Sequence, residues 1–477
     1  MYLLKDGVKV GSKTVTAADN WQYSFGTLKE FVKPDGSASY ERNVYSVTEE
    51  PLRCYDAGID DFDITNVLYI PDQSIITTEI RWRDGGNAYG ERPDKITLHL
   101  YDGSTKIASQ EVAVADYGTM TFAYFDVTEY EQENLGRDFD YRIEQDAIAK
   151  YAVKAGSYKR DNDVIGYANE YDNTGRYFKG HSLTLNGDVN VNFYIALTPE
   201  QARNATVSFA WFDKELSDVT LSASDYDSTK GYYKVICPVA VAEMTYDVTA
   251  TLKLNGEEVE INRYAVASYA EVILLDNEFA QSYIDANGED KYNQLCDLMC
   301  AMLDYGGKAQ KRFDRNLGNL ANGGYSVLSD PVTPDMITTV PDDLTQGLAA
   351  YGLEYGYSSV VFLSGASLRH FYRVTDETLF NKVKASVKFT DNEKPDQVKE
   401  YAATPISRGG YVYFEMKDIP ASKLDYQYQL QIGESSYKFS VMDSVKVLME
   451  SDPDDKTLEL CKATYRYNQA ANKFFGY

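Results

Sequence analysis

The chain has 477 residues, 44% of them hydrophobic, with 47 Lys and Arg against 73 Asp and Glu and a formal net charge of -26. That length is too great for one core, at roughly 100–200 residues per domain, and the hydrophobic content excludes a disordered chain. So negative a charge repels phosphate backbones and anionic lipid and discourages self-association, which argues against nucleic acid and membrane partners and for a soluble monomer. From residue 1 to about 67, strands and turns alternate. Tyr2, Leu3 and Leu4 lead into Lys5-Asp6-Gly7, a hairpin-type turn. Trp21, Tyr23 and Phe25 alternate with Gln22 and Ser24, a period-2 strand. Asp35-Gly36 marks a turn, and residues 44–49 and 62–67 are further strands. Residues 76–171 repeat this grammar: Ile80-Arg81-Trp82 opens it, a loop runs over 84–93, and residues 96–101 form a strand ended by Asp102-Gly103. Residues 121–125 and 141–144 follow in the same order.

These two segments resemble the B-type repeat of collagen adhesins, found in the stalks of Gram-positive surface proteins and pilins. The likeness lies in an ordered series: Leu4-Lys5-Asp6-Gly7, Val10-Gly11, Trp21-Gln22-Tyr23-Ser24-Phe25, Tyr45-Ser46-Val47-Thr48-Glu49 and Phe62-Asp63-Ile64-Thr65-Asn66. The second copy adds the family's opening, Trp82-Arg83-Asp84, and its loop, Asn87-Ala88-Tyr89-Gly90 with Arg92-Pro93. The resemblance implies prealbumin-like β-sandwiches over 1–69 and 74–172. In the family a Lys-bearing strand precedes the Leu-Lys-Asp-Gly turn. Met1 stands where that turn's own strand begins, so the first copy is expected to be truncated and to continue upstream. On that reading, a missing signal peptide says nothing about location.

Residues 173–324 and 341–477 form a second pair of repeats, joined by a linker rich in Gly, Ser, Thr, Pro and Asp. The run 185–194 aligns with 363–372, Gly231-Tyr232 with Gly410-Tyr411, and Ala301 to Phe313 with Ala463 to Phe475. Each begins with strands, such as residues 207–211 and 387–389, and ends in helical periodicity. Val266, Tyr269, Ala270, Ile273 and Leu274 share one helical face. After an Asn287-Gly288 break, Tyr292, Leu295, Cys296, Met299, Met302 and Leu303 make a second stripe, and Leu458, Cys461 and Tyr465 make another. Each repeat therefore reads as a β-sandwich with a helical hairpin, and the fold class as mainly β with added α. With its Asn-Gly-Asp start and Ala-Met-Leu-Asp-Tyr-Gly helix, the repeat resembles a module of large secreted proteins from anaerobic gut clostridia.

Little in the sequence points to catalysis. The histidines, His99, His181 and His370, stand far apart with no ligand spacing, and read as structural or surface residues. Of the five cysteines, Cys54, Cys237, Cys296, Cys300 and Cys461, only Cys296 and Cys300 lie at i, i+4. With no further Cys or His beside them they read as small apolar residues rather than a metal or redox pair. Acidic runs such as Asp60-Asp61-Phe62-Asp63 lack the EF-hand's terminal Glu, and read as solvated faces. No P-loop, nucleophile elbow or His-Glu-x-x-His is present. No cofactor or metal is expected.

The adhesin resemblance implies one covalent reaction, a Lys–Asn isopeptide bond assisted by Glu. A buried Lys becomes a neutral, nucleophilic amine, and a buried protonated Glu polarises the amide and moves protons. In the first copy Glu49 and Asn66 map to these roles, with the Lys to be supplied from upstream. In the second, Glu144 and Asn169 map to them, but Ile80 stands at the Lys position and cannot attack an amide, so no bond is expected. The expected function is a non-enzymatic stalk or spacer of an extracellular, secreted or wall-attached protein. The alternative is a glycan- or host-protein-binding module carried by residues 173–477.

Overall fold

The computed structural model describes all residues except 33–40, 52–54, 69–72, 117, 155–158, 185–188, 325–330, 339–340, 363–365, 392–397 and 477. Asp35-Gly36, Cys54, the Asn186-Gly187-Asp188 motif and most of the charged run 391–399 lie outside the described residues. The chain is mainly β and divides into two compact units. One holds Met1–Arg81, Pro93–Val114 and Met120–Asn169; the other holds Trp82–Arg92, Ala115–Thr119 and Glu170–Tyr477.

In the first unit, strands Tyr2–Lys5 and Val8–Ser12 form a hairpin, and Tyr2–Lys5 also pairs with Tyr45–Thr48. The hairpin turns on Asp6 and Gly7, both at positive φ (50° and 81°), the conformation that a tight two-residue turn demands. Leu3 and Val47 sit opposite each other and are buried. Strands Tyr55–Asp60 and Asp63–Leu68 make a separate hairpin. The expected strand at Trp21–Phe25 is not formed: residues 22–25 carry no secondary structure, and Trp21 is 70% exposed. The second segment shows why. There, Met120–Asp126 is held by backbone pairing to Ile75–Arg83, whereas no described strand pairs with 21–25. Period-2 patterning alone does not make a strand; the ladder does.

The second segment has two sheets. One orders Thr105–Ala113, Lys95–Asp102 and Tyr141–Gln145; the other runs Met120–Asp126, Ile75–Arg83, Val164–Tyr171 and Tyr151–Val153, with Lys159–Asp161 also on Val164–Tyr171. Ile76, Thr78, Ile80 and Trp82 alternate inward along their strand and are buried. A short helix, Thr128–Glu133, was not legible in the sequence. Its buried Glu131 accepts hydrogen bonds from Ser74 Oγ (2.7 Å) and Tyr141 Oη (2.9 Å).

The second unit contains two sets of sheets with one strand order. Phe178–Thr184, Asn190–Ile195, Tyr232–Pro238 and Tyr226–Asp227 form one sheet; Lys214–Thr220, Ala205–Trp211, Val248–Leu254 and Glu257–Tyr264 form its partner. The same order recurs in Leu353–Val361, Ala366–Val374, Tyr411–Ile419 and Ile406–Arg408, and in Lys399–Ala402, Lys388–Asp391, Tyr428–Ile432 and Ser435–Phe439. The helical part of the first set differs from the expected hairpin. It has three helices, Val266–Leu275, Asn277–Asn287 and Glu289–Phe313, because Asp276 ends one and caps the next by accepting from Glu278 N (2.9 Å) and Phe279 N (3.1 Å). The second set has two, Val441–Glu450 and Asp455–Phe475. The long helices pack on each other: Tyr305 stacks on Tyr467 at 5.5 Å, and Lys308 pairs with Glu459 at 2.8 Å. Tyr305 and Tyr467, which align between the repeats, thus meet in space.

Candidate functional site

Glu49 follows strand Tyr45–Thr48, and Asn66 lies on Asp63–Leu68. Their side chains meet: Asn66 Nδ2 donates to Glu49 Oε2 at 3.2 Å. The other carboxylate oxygen, Oε1, is buried and carries no hydrogen bond. Both residues line a cavity of about 500 Å³, together with Met1, Lys13, Trp21 and Tyr23. A buried carboxylate oxygen without a donor is costly, and a hydrogen-bond donor entering the cavity would satisfy it. From there an amine could reach the Asn66 amide, with Glu49 as the proton carrier.

The second segment does not bring its mapped residues together. Glu144 lies at the surface, hydrogen-bonded by Arg142; that bond, and one from Tyr101, hold its carboxyl below the usual carboxylate range. Such a group is ionised and cannot lend a proton. Asn169, fully buried, instead exchanges two hydrogen bonds with Gln145, at 2.9 and 3.0 Å. Tyr167 Oη donates to the same Gln145 Oε1 at 2.8 Å. Leu100 faces Ile143 as Leu3 faces Val47, and Gln145 lies two residues past Ile143, as Glu49 lies two past Val47. By position Gln145, not Glu144, is the counterpart of Glu49. Ile80 is fully buried.

A second cluster lies in the loop after Ile75–Arg83, within the larger unit. Arg92 donates to both Asp84 oxygens, at 2.8 and 2.5 Å, with both side chains about 1% exposed. It also donates to the carbonyls of Ala115 and Gly118, at 3.1 Å each, and lies 5.1 Å over the Trp82 ring. Arg83 pairs with Asp276 (3.0 Å) and Glu278 (3.1 Å), and Tyr89 Oη donates to the Phe178 carbonyl (2.6 Å). Arg263 N donates to the Ala88 carbonyl at 2.7 Å. The charged side chains in this cluster are ion-paired, which suits a structural role rather than a reactive centre.

The cysteines have no reactive setting among the described residues. Cys237, Cys296, Cys300 and Cys461 are free thiols, and burial raises each above the ordinary thiol pKa, Cys237 and Cys461 to about 12. His99 contacts Ser109 and Asp146. His181 and His370 are held neutral by burial, at pKa values of about 4 and about 3. His370 lines a second cavity that sequence reasoning missed.

Antiparallel sheets carry the ordered B-type series in both N-terminal segments. The model of the Cna protein B-type domain matches residues 1–67 and 76–166, so the chain carries two Cna B-type segments. A collagen adhesin of Staphylococcus aureus is 30% identical over 164 residues, which are 34% of this chain and 13% of that protein. The chain thus spans a small part of that relative. Among solved structures, a single B repeat unit of the collagen-binding surface protein of Staphylococcus aureus is similar at 22% identity, covering 36% of this chain and 84% of that one, with a TM-score of 0.17. A pilus adhesin of Lactobacillus rhamnosus GG is similar at 13% identity, covering 42% of this chain and 24% of that one, with a TM-score of 0.18.

Proposed function

We propose that the chain is a spacer of an extracellular bacterial surface protein, non-enzymatic, built from four modules at 1–69, 74–172, 173–324 and 341–477. The observation that carries this reading is the anchored loop that follows strand Ile75–Arg83. Residues 82–92 and 115–119 belong to the compact unit of 170–477, tied there by Arg83 on Asp276, by Tyr89 on Phe178 and by Arg263 N on the Ala88 carbonyl. A loop held within a compact unit by packed, paired residues resists local opening under tension, unlike a free linker. Hydrogen exchange in rising denaturant tests this. Amides of Ala88, Gly90 and Arg92 are expected to lose protection together with strand Glu257–Tyr264. Free exchange there while that strand stays protected would mean a loose loop and sink the reading.

In the same proposal Glu49 and Asn66 are an isopeptide pair that needs a lysine from another strand, and the second segment forms no such bond. Support for the latter is double: Ile80 stands at the lysine position and Gln145 meets Asn169, so neither nucleophile nor proton carrier is in place. A second reading, recognition of a glycan or an extracellular protein by the C-terminal repeats, is favoured by one observation. A cavity of about 650 Å³ in the last repeat has Tyr355 and Tyr357 in its walls.

A further inference from the structure

In the third module, one groove is filled from within the chain. His181 pairs in register with Phe193, its ring 5.2 Å from that of Phe193 and stacked at 4.0 Å on Tyr264. Tyr264 ends the strand that leads into helix Val266–Leu275. Over these residues lies the turn Gly85-Gly86. A Cβ on Gly85 would fall 3.4 Å from His181 Cε1, and one on Gly86 would fall 3.0 Å from Ser268 Oγ. Both glycines are at positive φ, 68° and 74°, so conformation and close approach each call for glycine.

The fourth module repeats the frame with other side chains. Ser358 pairs in register with His370, and His370 lies edge-on to Phe439 at 4.6 Å. Phe439 ends the strand that leads into helix Val441–Glu450. Asp443 is the third residue of that helix, as Ser268 is of Val266–Leu275. At this place the residues line the 650 Å³ cavity, Ser358, His370, Asp443 and Val447 among them. Its walls include three carboxylates, Asp342, Asp343 and Asp443, and neither Lys nor Arg among the described residues.

Two buried polar atoms there have no partner. His370 is 1% exposed; its Nδ1 meets Ser358 Oγ at 2.7 Å, while Nε2 makes no hydrogen bond. Whichever tautomer the ring adopts, Nε2 calls for a donor or an acceptor. Asp443 is 7% exposed; its Oδ2 accepts from Ser440 N (2.6 Å) and Gln427 Nε2 (3.3 Å), while Oδ1 accepts nothing. Native proteins seldom bury such groups unpaired unless something else completes them.

We propose that this cavity is the docking site for a glycine-turn loop bearing an arginine, presented by another folded protein. The backbone of such a turn carries the donors and acceptors that His370 and Asp443 lack, and its arginine complements the carboxylate walls, as Arg83 complements Asp276 and Glu278 in the third module. This chain's own loop is already seated on His181, so the occupant comes from a different protein. The inference rests on the groove and not on the spacer reading.

The test uses the full chain labelled with ¹³C at histidine Cε1, which gives three signals for three histidines; His370→Phe identifies the one that matters. The probe is a cyclised peptide of this chain's residues 82–93. The His370 signal is expected to move saturably, with a dissociation constant below about 1 mM. His99 and His181 are expected to stay put, the latter because the tethered loop outcompetes free peptide. Val447→Arg, at an exposed wall position, adds bulk and like charge and weakens binding at least about tenfold; Ser444→Arg does the same if Val447→Arg disturbs the fold. A His370 signal unmoved up to about 10 mM peptide, or a shift indifferent to both arginine variants, overturns the proposal.

Discussion

At the scale of the residue, the contrast between Glu49 and Gln145 decides the chemistry. Both sit two positions beyond a buried strand residue, and both hydrogen-bond an asparagine on a facing strand. A carboxyl can carry a proton to a leaving amine; a carboxamide cannot. We therefore expect covalent coupling when a strand copied from Ile75–Arg83, with Ile80→Lys, is fused ahead of Met1. Intact mass would then fall by one ammonia, and Glu49→Gln in the fused chain would keep the full mass. A fused chain that keeps its full mass without Glu49→Gln would remove Glu49 and Asn66 from this role. The resemblance made Glu49 and Asn66 legible, but it mapped Glu144, one residue short of the ladder position that Gln145 holds. A slip of one residue along a strand reverses which face a side chain takes.

At the scale of the element, the loop of residues 84–92 behaves as part of the larger unit. Its buried Asp84–Arg92 pair is complete, with Asp84 Oδ1 also accepting from Asn87 N (2.9 Å) and Asn87 Oδ1 accepting from Arg92 N (2.9 Å). Asp84→Ala leaves a buried guanidinium without its carboxylate, which costs about 3–5 kcal/mol. In calorimetry this change is expected to lower the transition that contains strand Glu257–Tyr264. An unchanged transition would mean the loop is bound only loosely. Sequence reading identified this stretch as a loop from its glycines, Asn87 and Pro93. It did not show what the loop touches, because Arg83 and Asp276 lie 193 residues apart. Strands read best where turn residues bound them, as with Lys5-Asp6-Gly7. Trp21–Phe25 misled because a strand requires a partner that composition cannot supply. Ser358 and His370 were invisible as a pair, since a bulge at Tyr355–Tyr357 shifts the register that brings them together.

At the scale of the molecule, the chain is mainly β, with two segments that match the B-type domain and two related C-terminal repeats. Among the described residues no helix is long and apolar enough to cross a membrane. The long helices of the two C-terminal repeats, Glu289–Phe313 and Asp455–Phe475, join those repeats through Tyr305 on Tyr467 and through ion pairs. Binding of the full chain to immobilised collagen and to a saccharide array measures the central claim most directly. The spacer reading predicts no saturable binding to either below about 1 mM; saturable binding of collagen or a saccharide in the micromolar range would contradict it.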